Sequence, residues 1–112
     1  MATALTVKAI EESTYVITCA FTDEDGAAVV PAIITWTLTN GDGTTVNSRK
    51  DVAVLVPAAS VSIVLSGDDL ALSEGRDNYR KITVRGTYDS SLGSGLPIVG
   101  EAEFVITNVA AL

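Results

Sequence analysis

The sequence predicts an all-β fold, an antiparallel β-sandwich of about seven strands with Greek-key connections. Two observations carry that expectation. First, Phe21-Thr22-Asp23-Glu24-Asp25-Gly26-Ala27-Ala28-Val29 is echoed seventeen residues on by Leu38-Thr39-Asn40-Gly41-Asp42-Gly43-Thr44-Thr45-Val46. Asp-Gly tolerates the positive φ of tight turns, so both copies read as strand reversals. Second, stretches rich in Val, Ile and Thr recur every ten to fifteen residues with turn signals between them.

Seven segments read as extended: 3–10, 14–22, 32–39, 45–55 (broken in two), 60–66, 80–88 and 98–107. Side chains of a strand alternate between its faces. In the second segment Tyr15, Ile17, Cys19 and Phe21 share one face. In the third, Ile34, Trp36 and Leu38 oppose Thr35, Thr37 and Thr39. Val61, Ile63 and Leu65 oppose serines in the fifth; Ile82 and Val84 oppose Lys81, Thr83 and Arg85 in the sixth. In the last, Ala102, Phe104 and Ile106 face inward. Such half-polar strands belong to antiparallel sheets with one solvated face. The expected core is Ile17, Cys19, Phe21, Ile34, Trp36, Leu38, Val61, Ile63, Leu65, Ile82, Val84, Phe104 and Ile106.

A hairpin centred on Ser91 to Ser94 pairs the last two strands. It sets Val84 against Ala102, Ile82 against Phe104 and Arg85 against Glu101. The latter would be a cross-strand ion pair contributing about 0.2–1 kcal/mol. Gly86 within the sixth segment predicts a bulge, or room for Trp36 above it. Ser66-Gly67-Asp68-Asp69 predicts a short helical turn near 67–72, capped by Ser66 with acids in its first turn. Leu70 or Leu72 would then plug one end of the sandwich.

With 112 residues, 1–112 is expected to be one domain, and Met1 the start of a complete small protein. The net charge of −7 argues against nucleic-acid or anionic-membrane contact, which needs a basic surface. Arg76, Arg80, Lys81 and Arg85 read as a solvated face. The lone Cys19 forms no internal disulfide, which favours a reducing compartment. No signal peptide and no transmembrane helix are apparent.

Chemistry is sparse. There is no histidine, the commonest general base and metal ligand. Cys19 sits in an apolar strand, where a thiolate is disfavoured. Asp23, Glu24, Asp25, Asp68 and Asp69 lie in turns and read as solvated caps, not as facing catalytic carboxylates. Asp23, Asp25 and Asp42 are weak calcium candidates, offering oxygens at alternate positions. The EF-hand template fails: counted from Asp23, positions five and twelve are Ala27 and Ile34; counted from Asn40, positions six and twelve are Thr45 and Asp51. The expectation is therefore no catalytic residues, no cofactor and no bound metal.

Cys19 on the second segment and Trp36 on the third stand where an immunoglobulin domain keeps its first core cysteine and core tryptophan. The chain thus resembles an immunoglobulin-like sandwich, though Ile82 and Val84 stand where a partner cysteine would be. Phe21-Thr22-Asp23-Glu24-Asp25-Gly26, Val30-Pro31, Trp36-Thr37-Leu38-Thr39, Asn47-Ser48-Arg49 and Leu65-Ser66-Gly67-Asp68-Asp69-Leu70 are similar to a narrower group. These are small immunoglobulin-like proteins encoded among virion structural genes of tailed bacteriophages and prophages. The resemblance implies a non-catalytic structural or assembly protein, located in the virion or in the host cytoplasm during assembly. Its partners would be virion proteins or further copies of itself. Candidate edges are the first segment (Leu5, Val7, Ile10) and the run Val52-Ala53-Val54-Leu55-Val56, which Pro57 ends. The apolar tail Val109-Ala110-Ala111-Leu112 could dock on a neighbour or on its own core. The alternative is a bacterial surface or carbohydrate-binding sandwich module, which would need exposed aromatics; Tyr79 and Tyr88 are the residues available.

Overall fold

The computed structural model describes residues 3–5, 7–72, 78–107 and 109. Among the described residues the structure is all-β apart from one 3-10 turn. Its strands are β1 (Thr3–Ala4), β2 (Ala9–Ile10), β3 (Thr14–Ala20), β4 (Ile33–Asn40), β5 (Val52–Ala53), β6 (Ser60–Ser66), β7 (Tyr79–Ser90) and β8 (Gly93–Thr107). One mixed sheet runs β1-β8-β7-β4-β5, with β2 also on β8. β3 and β6 form a separate antiparallel pair. β1 and β2 both lie parallel to β8.

The 45–55 segment is mostly irregular. Thr45 makes an isolated bridge to Thr39, and only Val52–Ala53 pair as a strand, against Thr35 and Trp36. Four of the described non-glycine residues have positive φ, and three of them (Asn47, Ser48 and Asp51) fall here. That curled backbone cannot continue a pleated ladder.

The inner faces of the large sheet and of the β3–β6 pair share one core. Ile17, Phe21, Ile34, Trp36, Leu38, Val61, Ile63, Leu65, Ile82, Val84, Phe104 and Ile106 are all buried in it. The rings of Tyr15 and Phe104 lie 4.7 Å apart, and the Tyr15 hydroxyl donates to the Val7 carbonyl at 2.6 Å. Cys19 is only half-buried, contrary to its place in the expected core. The first segment pairs with β8 and not with β3, so one side of β3 stays open beside the thiol.

The β7–β8 hairpin differs from expectation in register. Ser90 pairs with Gly93 across a two-residue turn, and the ladder is irregular between Tyr88 and Ser90. Val84 therefore faces Gly100, Ile82 faces Ala102 and Arg85 faces Val99. Arg85 does not oppose Glu101, which sits across from Thr83. The slip is two residues, so every side chain keeps its face; a slip of one would have exposed the core.

Gly86 is neither the bulge nor a space for the indole. A Cβ there would lie 2.5 Å from the Ile33 carbonyl oxygen, so the absent side chain admits the backbone of β4. Trp36 instead faces Val84. Arg80 is also not on the solvated face. It is buried, and its guanidinium donates to the Ala71 carbonyl at 2.8 Å and to that of Tyr79 at 3.1 Å. Its even-numbered position shares the parity of Ile82 and Val84. Arg76 lies outside the described residues, as does 110–112 of the tail; Val109 donates its N–H to Glu11 at 3.0 Å.

The 3-10 turn, Gly67–Leu70, comes directly after β6. Leu70 is fully buried there, while Leu72 is half-buried. No helix among the described residues is long and apolar enough to cross a membrane.

Candidate functional site

The two Asp-Gly segments fold as near copies. In the first, Asp23 N–H donates to the Ala27 carbonyl at 2.8 Å and Gly26 N–H to the Asp23 carbonyl at 3.1 Å. In the second, Asn40 and Thr44 pair at 3.0 Å, and Gly43 and Asn40 at 3.2 Å. Asp23 Oδ1 accepts from the N–H groups of Asp25 and Ala27; Asn40 Oδ1 accepts from those of Asp42 and Thr44. Gly26 and Gly43 take φ of 80° and 91°, which a residue with a Cβ rarely adopts. A ladder bridge closes each loop, Thr22 with Ala28 and Thr39 with Thr45.

Asp23 Oδ1 and Asn40 Oδ1 are therefore already engaged by their own turns. Asp23, Glu24 and Asp25 place one oxygen each within 4.8 Å of one another, on a half-buried to exposed rim. Asp42 belongs to the other turn. It accepts from Thr44 N–H at 2.9 Å, and Thr44's side-chain and backbone hydrogen bonds hold its carboxyl below the usual range. Glu24 points to the far hairpin: the hydroxyls of Tyr88 and Ser90 donate to its Oε1 at 2.9 and 3.2 Å. That bond to Glu24, and after it burial, pushes the Tyr88 phenol up.

The second acidic turn divides. Asp68 is exposed, whereas Asp69 is completely buried. Arg49 Nε donates to Asp69 Oδ1 at 2.7 Å, Asn47 Nδ2 donates to the same oxygen at 2.9 Å, and Ser66 N–H donates to Oδ2 at 3.1 Å. The Arg49 guanidinium also lies 5.9 Å above the Trp36 ring centroid. Burial by itself would raise the Asp69 pKa. The hydrogen bonds from Arg49, Asn47 and Ser66, together with the Arg49 charge, outweigh it and hold the carboxyl below its ordinary value. Arg49 is pushed up in return, first by that hydrogen bond and then by the Asp69 charge.

This cluster was not legible as a site, because its members lie twenty and more residues apart. The available signal was that Asn47-Ser48-Arg49 and Asp68-Asp69 both fall in the segments on which the resemblance to phage-encoded proteins was read. Chemically the cluster is a lock: it pins the left-handed Asn47–Ser48 corner onto the end of β6, over the core indole.

An apolar cleft of about 350 Å³ opens between β3 and β8, lined by Ile17, Cys19, Phe21, Ile82, Val84 and Ile98 among others. Burial raises the Cys19 thiol pKa, so the neutral thiol is favoured. None of the six aromatic residues is exposed. Compared with known families, curated proteins and solved structures, the chain matches none.

Proposed function

We propose that this chain is an immunoglobulin-like sandwich that works without catalysis, as an assembly component acting through protein–protein contacts. The setting we propose is the virion of a tailed bacteriophage or prophage. The strand order supports the architecture: β1/β2-β8-β7-β4-β5 on one side of the core and β3-β6 on the other. The observation that carries the function is where the polar groups and the edges are spent. The most elaborate polar cluster, Asp69 with Arg49 and Asn47, is turned inward on the fold. Asp23 and Asp42 cap the backbone of their own turns. Meanwhile Val7, Leu55 and Val56 stand 70%, 91% and 79% exposed at the segments expected to be edges. Open strand edges accept further strands, and exposed apolar side chains favour a protein neighbour.

A carbohydrate-binding module would need an aromatic platform. Tyr88 is buried on Glu24, and Tyr79 is half-buried and donates its hydroxyl to Glu103. The test is the company the gene and the protein keep. Flanking capsid, portal or tail genes, and the chain at stoichiometric amount in purified particles, are the expected result. A secretion or polysaccharide locus, with particles lacking the chain, would overturn the reading.

A further inference from the structure

The outer face of the six-stranded sheet carries its charges in two adjacent rows. On β7 the outward residues include Lys81, Thr83 and Arg85; on β8 they include Val99, Glu101 and Glu103. Lys81 lies directly across from Glu103, Thr83 from Glu101, and Arg85 from Val99. Among the described residues the ion pair within 4 Å is Arg49–Asp69, so these neighbouring rows do not neutralise each other by contact. Two exposed apolar side chains share this face, Val99 at 66% within the β8 row and Ile33 at 60% on neighbouring β4.

A row of cations beside a row of anions is complementary to itself. A two-fold axis running along the strands, between β7 and β8, lays β7 of one copy over β8 of the other. Lys81 then stands over Glu103 of the second copy, twice by symmetry, and Arg85 stands over the apolar Val99 beside Glu101. A two-fold axis across the strands would instead set β7 on β7 and bring Lys81 over Arg85, like over like. Charge thus selects one of the two face-to-face arrangements, and sheets pack face to face readily when their strands stay nearly aligned. We propose that this face pairs with the same face of a second copy of the chain, in the arrangement that sets Lys81 over Glu103. Three strands of about eight residues make a patch of roughly 14 by 26 Å per copy. That is small for a specific interface, so the dimer is reversible and forms at high protein concentration.

The inference gives the assembly reading a surface and a partner, and it stands or falls separately from the gene neighbourhood. The experiment is sedimentation across a dilution series, with the near-ultraviolet signal of Trp36 checking the fold of each variant. The wild-type chain is expected to approach a doubled mass on concentration. Lys81→Glu and Glu103→Lys are each expected to stay monomeric, because each sets like charges across the axis. Mixed in equal amounts, they are expected to recover the doubled mass, since the mixed pair places opposite charges at both contacts. Within either variant the cross-strand neighbours remain like-charged, so an effect inside one chain could not restore association. Val99→Lys, at a surface position that leaves Lys81 and Glu103 intact, is expected to abolish the dimer by facing Arg85. A wild-type chain monomeric throughout, single variants that associate as the wild type does, or a mixture that stays monomeric would each overturn the proposal.

Discussion

Two acidic turns that look alike in the sequence end in opposite environments. Asp23-Glu24-Asp25 stays on the rim, where Asp23 Oδ1 accepts two local N–H groups and the carboxylates keep contact with water. Asp68-Asp69 sends one carboxylate out and buries the other completely. The glycine beside each acidic pair makes the difference. Gly26, at φ of 80°, returns the chain at once, so the first turn never leaves the surface. Gly67, at φ of 56°, opens a 3-10 turn that rolls Leu70 into the core and takes Asp69 with it. A buried carboxylate persists only when paired and hydrogen-bonded, and Arg49, Asn47 and Ser66 supply that.

The contrast can be broken hardest at Arg49. Arg49→Ala leaves the buried Asp69 without its cation and is expected to cost about 2–3 kcal/mol in urea unfolding at neutral pH. The figure sits below the usual range of about 3–5 kcal/mol because the Arg49 side chain is 40% exposed and so is partly screened. The loss should depend on pH in a defined direction. The folded Asp69 pKa is lowered, so its contribution is complete above the unfolded value of about 3.9 and is lost as pH falls through the folded one. A protonated Asp69 no longer needs the guanidinium. The gap between wild type and Arg49→Ala is therefore expected to be smaller well below a pH of about 4 than at neutral pH.

Smaller effects belong to the rim. Asp23→Ala removes two exposed acceptor contacts and should cost about 1 kcal/mol, with Asn40→Ala costing about the same at the matching turn. Because the two turns share no partner, thermal melts of the double variant should show the sum. Smallest is the response to calcium. Of the three calcium candidates, Asp23 and Asp42 each have an oxygen held by backbone N–H groups, so a melt in calcium and one in chelator are expected to share a midpoint.

How much of the molecule is legible in its sequence depends on the range of the forces involved. Alternation is local, so the inward faces of 14–22, 32–39, 60–66 and 80–88 were readable, as was the twin geometry of the Asp-Gly turns. Arg80 was readable too: its parity matches Ile82, and only its charge argued otherwise. The β7–β8 register depended on a two-residue turn at Ser91–Leu92 that a run of serine and glycine does not distinguish from a longer one. Asp69 meeting Arg49 depended on a tertiary approach that no local pattern encodes. Cys19 is only half-buried for the same reason, since its exposure was decided by where 3–10 chose to pair.

That choice of partner has a mechanical consequence. β1 and β2 run parallel to β8, so a tensile load applied through Thr3 and Thr107 pulls the first and last strands past each other along their length. The cross-links Leu5 to Glu103 and Glu11 to Thr107 would then be strained together in shear, not peeled one at a time. A chain tethered at both ends would hold its shape under stretch better than a hairpin loaded at its open end.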